Sequence, residues 1–287
     1  MQVQKRIKTI DELTLMDDYM FSQVMRETRH LKPLLEFILN VTISKIELIE
    51  PQKTEKEGYQ SRGVRLDLYV MDDQGTVYNV EVQTTTKKNI PKRMRYYQST
   101  IDVNILQPGV DYRNLRKTYV IFICNFDPFE RGRCIYTFEN VCREVPGLVF
   151  GDEAVKIVVN TGGNLDSVSE NLKEVIRYLN DGSISGKYSQ ELDNAVAAIK
   201  SSEERRVEYM TMAIRDLEIR EEGREEGREE GREEGREEGT EKERISNIRT
   251  VMRKMKYSAE KAMDFLDISM EDQEKYAPLL RESAEKE

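Results

Sequence analysis

The sequence predicts an α/β domain, and three observations carry that expectation. Two runs of alternating apolar and polar residues, VRLDLYV (64–70) and TVYNVEV (76–82), flank a glycine-containing turn. A third run, TYVIFICNF (118–126), is apolar on both faces, as a strand covered on both sides must be. Around these runs lie segments whose apolar residues recur at three- and four-residue spacing, the mark of amphipathic helices. Strands and helices mixed in this order place an α/β domain at residues 1–200.

The elements follow in chain order. Thr9 and Glu12 fit a capping box, and Leu13, Met16, Met20, Phe21, Val24 and Met25 keep helical spacing, so residues 10–26 form the first predicted helix. A second helix is expected from Leu31 to Asn40, with His30 at the surface between the two. ISKIELIE (43–50) reads as a strand and EKEGYQSRG (55–63) as a loop. The turn Asp73-Gln74-Gly75 sets Gly75 at the left-handed position that such hairpins favour. Asp72 then faces Thr76, Asp67 faces Glu81, and Arg65 faces Gln83. Since side chains alternate faces, Arg65, Asp67, Asn79, Glu81 and Gln83 share one face, and Leu66, Leu68, Tyr78, Val80 and Val82 the other. Pro91–Leu106 reads as a helix with proline in its first turn. RCIYTF (133–138) and VKIVVN (155–160) add strands, and helices are expected near Val168–Leu179 and Gln190–Ile199.

Beyond the domain, a charged linker spans residues 201–240 and a small helical tail spans 241–287. From Arg220 to Gly239 the chain repeats REEG five times, for a net charge of −5. Opposite-charge pairs three apart add roughly 0.2–0.5 kcal/mol each, whereas each helical glycine costs about 1 kcal/mol against alanine. The repeat is expected to be at best a marginal helix. In the tail, Ile245, Ile248, Val251, Met252 and Met255 fit one helix, and Ser258 and Ser269 fit as caps of two short ones. Such a tail reads either as a small helix-turn-helix or as a helical hairpin that pairs with another copy, giving a homo-oligomer.

Composition narrows the chemistry. The chain has 287 residues, 34% of them charged, and a single histidine, His30. Catalytic triads and HExxH zinc sites are thereby disfavoured. Cys124, Cys134 and Cys142 lack CxxC spacing, which argues against zinc or a disulfide framework and for a cytoplasmic setting. The N-terminus shows no secretory h-region, and the longest apolar run, Tyr119–Cys124, is too short to span a bilayer. A metal would be held by carboxylates, favouring Mg2+ or Mn2+. The net charge of −9 conceals an asymmetry: residues 1–160 carry 23 basic and 22 acidic side chains, and the rest 22 and 32. Lys87 to Lys117 holds eight basic residues against two acidic ones, so the acidic total does not exclude nucleic acid.

Phosphodiester hydrolysis needs a divalent ion, and two carboxylates converging from adjacent strands can hold one. Asp67 and Glu81 have that placement, Gln83 lies two residues on to orient a water, and Asp18 lies at the edge of the first helix's apolar stripe. The same alternation also describes an ordinary hairpin with a solvated polar face, and the spacing alone does not separate the two. Likewise Lys87, Lys88, Lys92, Arg93 and Arg95 suit either DNA contact or a soluble helix face. Of Tyr96 and Tyr97, one is expected to pack inward and one to lie near the site.

The run from Met16 to Phe126 resembles the Rpn family of recombination-promoting nucleases, also called PD-(D/E)XK nuclease family transposases. The matching pieces are DYMF (18–21), LLEFILN (34–40), RLDLYVMDDQGTVYNVEVQ (65–83), KRMRYYQS (92–99), the spaced Gly109, Asp111 and Tyr112, and YVIFICNF (119–126). The resemblance implies a restriction-endonuclease-like mixed sheet with flanking helices, and a metal-dependent endonuclease acting on double-stranded DNA. It implies Asp67 and Glu81 as metal ligands and Asp18 as a supporting acid. Gln83 stands where the wider superfamily has lysine; it can hydrogen-bond a water but cannot offset developing negative charge. Arg93 or Lys92 is then expected to supply the positive charge. A protein that kept the fold but lost catalysis, acting by binding DNA or a partner, is the alternative.

Overall fold

The computed structural model describes residues 6–49, 68–85, 89–106 and 109–281. Asp67, Arg65, Lys87, Lys88 and the expected loop 55–63 lie outside them. The chain forms two compact units, Met1–Met212 and Ala213–Glu287.

The first unit is built on a mixed six-stranded sheet of order β1-β2-β3-β4-β6-β5 among the described residues. Its strands are β1 (Ile46–Leu48), β2 (Leu68–Asp72), β3 (Val77–Gln83), β4 (Thr118–Cys124), β5 (Ile135–Phe138) and β6 (Ala154–Asn160). The first three are antiparallel, β3-β4 and β4-β6 are parallel, and β5 closes the edge antiparallel to β6. The β2–β3 register is the one the turn predicts: Leu68 faces Val80, Tyr69 faces Asn79 and Met71 faces Val77. Turn chemistry explains it. The Asp72 carboxylate accepts from the backbone N–H of Gln74 (2.9 Å) and of Thr76 (2.8 Å), and Gly75 takes φ +83°, where a Cβ would be strained. β4 is central and buried along nearly its whole length, as a strand apolar on both faces must be.

Helices flank this sheet: α1 (Asp18–Met25), α2 (Thr28–Leu39), α3 (Ile90–Ile105), α4 (Glu170–Asp181), α5 (Lys187–Ser201) and the start of α6 (Glu203–Met255). α3 begins with Pro91 in its first turn and buries Ile90, Met94, Tyr97 and Ile101. That stripe meets Tyr69, Val77, Val120, Phe122, Cys124 and Val158 in one core cluster on one face of the sheet. Leu68, Val70, Val80, Val82, Ile121 and Ile123 on the other face are equally buried, and α1 and α2 approach the sheet at β3 and β1. With flanking helices on a mixed sheet, the fold is α/β and restriction-endonuclease-like.

Two expectations are corrected. The first helix is not continuous over 10–26. A 3-10 turn, Ile10–Glu12, keeps the Thr9–Glu12 capping box, and α1 starts only at Asp18. Between them the Asp17 carboxylate accepts from the Thr14 backbone N–H (2.8 Å) and hydroxyl (3.1 Å), which favours a turn over helix propagation. His30 is not at the surface; only 4% of it is exposed, because α5 covers it and Tyr188 donates a hydrogen bond to its carbonyl. The REEG repeat, expected to be at best a marginal helix, is helical here as part of α6, and its residues 220–239 are exposed.

In the second unit the end of α6 packs with α7 (Ala259–Phe265) and α8 (Met270–Arg281). Ile248, Ala262, Met263, Tyr276 and Leu280 form its core. Ser258 and Ser269 cap as expected, accepting from the N–H groups of Lys261 (3.3 Å) and Asp272 (3.2 Å). The tail's apolar faces therefore meet each other within one chain.

Candidate active site

Period-two alternation along β3 places Asn79, Glu81 and Gln83 on the face that α3 covers. That face is not solvated: Asn79 is fully buried and Glu81 is 2% exposed. The parallel pairing with β4 sets Glu81 beside Phe122 and Gln83 beside Cys124. On α3, Arg93 lies three residues after Ile90 and four before Tyr97, at the flank of the buried stripe. Its guanidinium therefore turns inward.

There it meets the strand residues. The Arg93 Nη2 stands 3.8 Å from Glu81 Oε2, and Nη1 donates to Gln83 Oε1. Gln83 Nε2 in turn donates to Glu81 Oε2 (3.5 Å). The Arg93 Cζ lies 5.4 Å from the Phe122 ring centroid and 5.8 Å from that of Tyr97, within range of a cation–π attraction. Tyr97 closes the group. Its hydroxyl accepts from Arg93 Nη2 (3.4 Å), while burial first, and then the Glu81 carboxylate, hold its proton on well above the usual tyrosine range. Burial likewise pushes the neighbouring Cys124 thiol up to about 12, so it offers no thiolate nucleophile at neutral pH.

Residues 15–139 match the model of the PD-(D/E)XK nuclease family transposases. No curated protein and no solved structure matches the chain. The matched segment runs from just before α1 to just past β5, so it contains Asp18, Glu81, Gln83, Arg93 and Tyr97. It also contains the run Met16–Phe126 on which the sequence resemblance rests.

Within this matched segment the structure brings Glu81, Gln83 and Arg93 together. Tyr97 is the inward tyrosine and also the one at the site, whereas Tyr96 is exposed. Lys92 and Arg95 are exposed on α3. Asp18 is the exposed first residue of α1. Asp67, Lys87 and Lys88 lie outside the described residues, among which no three His, Cys, Asp or Glu side chains gather to hold a metal. Sequence reasoning missed the role of the Tyr97 hydroxyl. The signal was available in the helical phase, which sets Tyr97 one turn after Arg93.

Proposed function

We propose that this chain hydrolyses phosphodiester bonds of double-stranded DNA in a metal-dependent reaction with little sequence preference, serving DNA recombination or element mobility. The observation that carries the reading is Glu81, a buried carboxylate at the end of β3 with Gln83 and Arg93 closed around it. The donor chemistry fits a hard divalent ion, because Glu81 and its proposed partners Asp67 and Asp18 are carboxylates, which offer oxygen rather than nitrogen or sulfur. The register of the β2–β3 hairpin, extended by one pair beyond Leu68–Val80, would set Asp67 opposite Glu81. In this proposal Asp67 and Glu81 hold Mg2+ or Mn2+, and Asp18 supports them. The bound ion lowers the pKa of water and neutralises charge on the scissile phosphate.

The remaining work falls to the protein's own groups. Gln83 orients the attacking water through its amide oxygen, which has a second lone pair beyond the one Arg93 uses. Arg93 supplies the positive charge that glutamine cannot, with further N–H donors on its fork for phosphate oxygens. Tyr97 holds the guanidinium at its height above Phe122. Lys87, Lys88, Lys92 and Arg95 contact the DNA backbone. All three cysteines are free, and no described helix is long and apolar enough to cross a membrane, which supports action in a reducing cytoplasm.

The test is cleavage of supercoiled plasmid by the purified full chain, with Mg2+ and with chelator, beside Glu81→Gln. Nicking that requires metal and Glu81 supports the proposal. A wild-type protein that never cuts, yet binds DNA, establishes the second reading, an inactive binding protein. The contact between Glu81 and Arg93 favours that second reading, since the arginine competes with a metal for the carboxylate.

A further inference from the structure

Between β5 and β6 the chain does not turn at once but runs out into a hairpin arm, residues 139–153. Its tip is Val145-Pro146-Gly147-Leu148, where the Leu148 N–H donates to the Val145 carbonyl (3.2 Å) and Gly147 takes φ +86°, as proline followed by glycine does in a type II turn. Below the tip, Cys142 N–H donates to the Leu148 carbonyl and Phe150 N–H to the Asn140 carbonyl, both at 2.8 Å. Val141 and Val149 therefore stand directly opposite each other as a non-hydrogen-bonded pair. The arm stands clear of the domain. Nothing lies within 4 Å of the place a Cβ would take on Gly147 or Gly151, and every residue from 139 to 153 is exposed except the half-buried Cys142.

Such an arm is expected to be polar, and this one is not. Val141 and Val149 lie on one face, Leu148 and Phe150 (76% exposed) on the other, with Val145 at the tip. A two-stranded hairpin without a packed face is marginal in water, and clustered exposed apolar side chains mark a contact surface. Charge narrows what covers it. Glu139, Glu144, Asp152 and Glu153 against Arg143 give the arm a net −3, which repels DNA phosphates and anionic membranes alike. Its complement must be apolar and basic. The chain carries such a surface in residues 110–117, which expose Val110, Tyr112 (80%) and Leu115 and hold Arg113, Arg116 and Lys117 against Asp111, a net +2. Lys117 already feels Glu153 and Glu139 of its own arm, yet the apolar side chains of both segments stay uncovered within one chain. The two segments lie at the same end of the sheet, since the Thr118 N–H, where β4 begins, donates to the Glu153 carbonyl (2.9 Å). Gln83 lies at the other end, because β3 begins beside Thr118 and ends beside Cys124.

We propose that two copies of this chain associate through this end of the first unit, the arm of each lying on residues 110–117 of the other. The contact is isologous. Each copy offers one arm and one acceptor, so a two-fold axis makes both contacts at once and leaves neither free to propagate. In each contact a net −3 meets a net +2 around apolar side chains. Arm and acceptor together hold 23 residues, within the roughly 20–30 a side of a standard interface. The surface lies away from Glu81, and the proposal stands whether or not the chain cleaves DNA.

Sedimentation velocity of the full-length protein, over a series reaching about 100 μM, tests this with one variant on each side. Phe150→Glu alters the arm and Tyr112→Glu the acceptor, both at exposed positions where the fold tolerates charge, as circular dichroism checks; Val141→Asp and Val110→Asp repeat the test at second positions. The wild type should dimerise, and each variant alone should raise the dimer dissociation constant by at least about tenfold. An equimolar mixture of the arm variant and the acceptor variant should recover association. The mixed pair keeps one unaltered arm–acceptor contact, which neither variant has with itself. A monomeric wild type overturns the proposal, and reduced DNA binding by Phe150→Glu would then make the arm a DNA contact. A dimer that survives either variant places the interface elsewhere, and a mixture that fails to recover means that arm meets arm. Each of these results overturns the exchange.

Discussion

Replacing Arg93 by methionine should move two observables in opposite directions. At 3.8 Å a unit charge pair has a Coulomb energy of about 4 kcal/mol at an effective dielectric of ~20. The Arg93 side chain is 29% exposed against 2% for Glu81, so solvent screening on the arginine side brings the coupling to roughly 1–3 kcal/mol. In the metal-free protein that attraction favours the guanidinium over any ion competing for the carboxylate. Arg93→Met removes the competitor, and the affinity for Mg2+ or Mn2+ should rise by about ten- to a hundredfold. The cleavage rate should nevertheless fall by about 10²–10³-fold, the usual effect of losing one charge-stabilising donor. Arg93→Lys should lie between, because an ammonium keeps the charge but cannot reach Gln83 and Tyr97 together as the fork does. Mn2+ binding by calorimetry and single-turnover plasmid nicking read the two effects separately. Weaker metal binding in Arg93→Met, or an undiminished rate, would refute the assignment of Arg93 as the site's cation.

Other consequences are checked more simply. Gln83→Ala should slow nicking by about 10²–10³-fold through loss of one positioned polar group, and a full rate in a folded variant would pass the water-orienting role to another residue. Neutralising exposed Lys92 and Arg95 together should weaken DNA binding across all sequences and make the salt slope shallower by about 0.9 per lost phosphate contact; an unchanged slope removes α3 from the DNA face. Burial, reinforced by Arg29 and opposed by Glu27 and Glu191, holds His30 below its ordinary value of 6.5. The unfolded chain takes up a proton near 6.5 that the folded one refuses, so this contribution is full above that pH and is lost as pH falls toward the depressed folded value. His30→Phe should flatten the decline of Tm between pH 7 and pH 5, and an unaltered slope would place the acid sensitivity elsewhere.

Much of the site's scaffold was legible because local chemistry decides it. The Asp72–Gly75 turn fixes the hairpin register, and a one-residue slip would have turned Glu81 to the opposite face. The helical phase of α3 also separates its two candidate cations: Arg93 falls three after Ile90 and four before Tyr97, whereas Lys92 does not. Burial was not legible. Alternating β3 reads as a wet amphipathic strand until α3, fixed by its own apolar stripe, lies over Asn79 and Glu81. His30 was misread for a similar reason, since Tyr188, which covers its carbonyl, lies 158 residues away in the chain. The split of the first helix depends on the Thr14–Asp17 hydrogen bonds, which compete with a periodicity that by itself favours continuity.

The REEG segment shows a different limit of local reasoning. Its period of four stacks arginine on arginine and glutamate on glutamate at i,i+4, leaving Glu–Arg pairs such as Glu221–Arg224 at the i,i+3 spacing. With a glycine in every repeat, those terms leave an isolated segment near balance. Nucleation, however, is the costly step of helix formation, and extension of an existing helix is far cheaper. α6 has packed turns on both sides of the repeat. Arg206 pairs with Asp11 (2.7 Å) and Tyr209 lies 5.0 Å from Tyr19, centroid to centroid, before it; Ile248 is buried in the tail core after it. Each of those turns is fixed by its own unit, so the repeat need only be extended and never nucleated. A sequence that is marginal alone can thus remain helical over twenty exposed residues without any apolar stripe of its own.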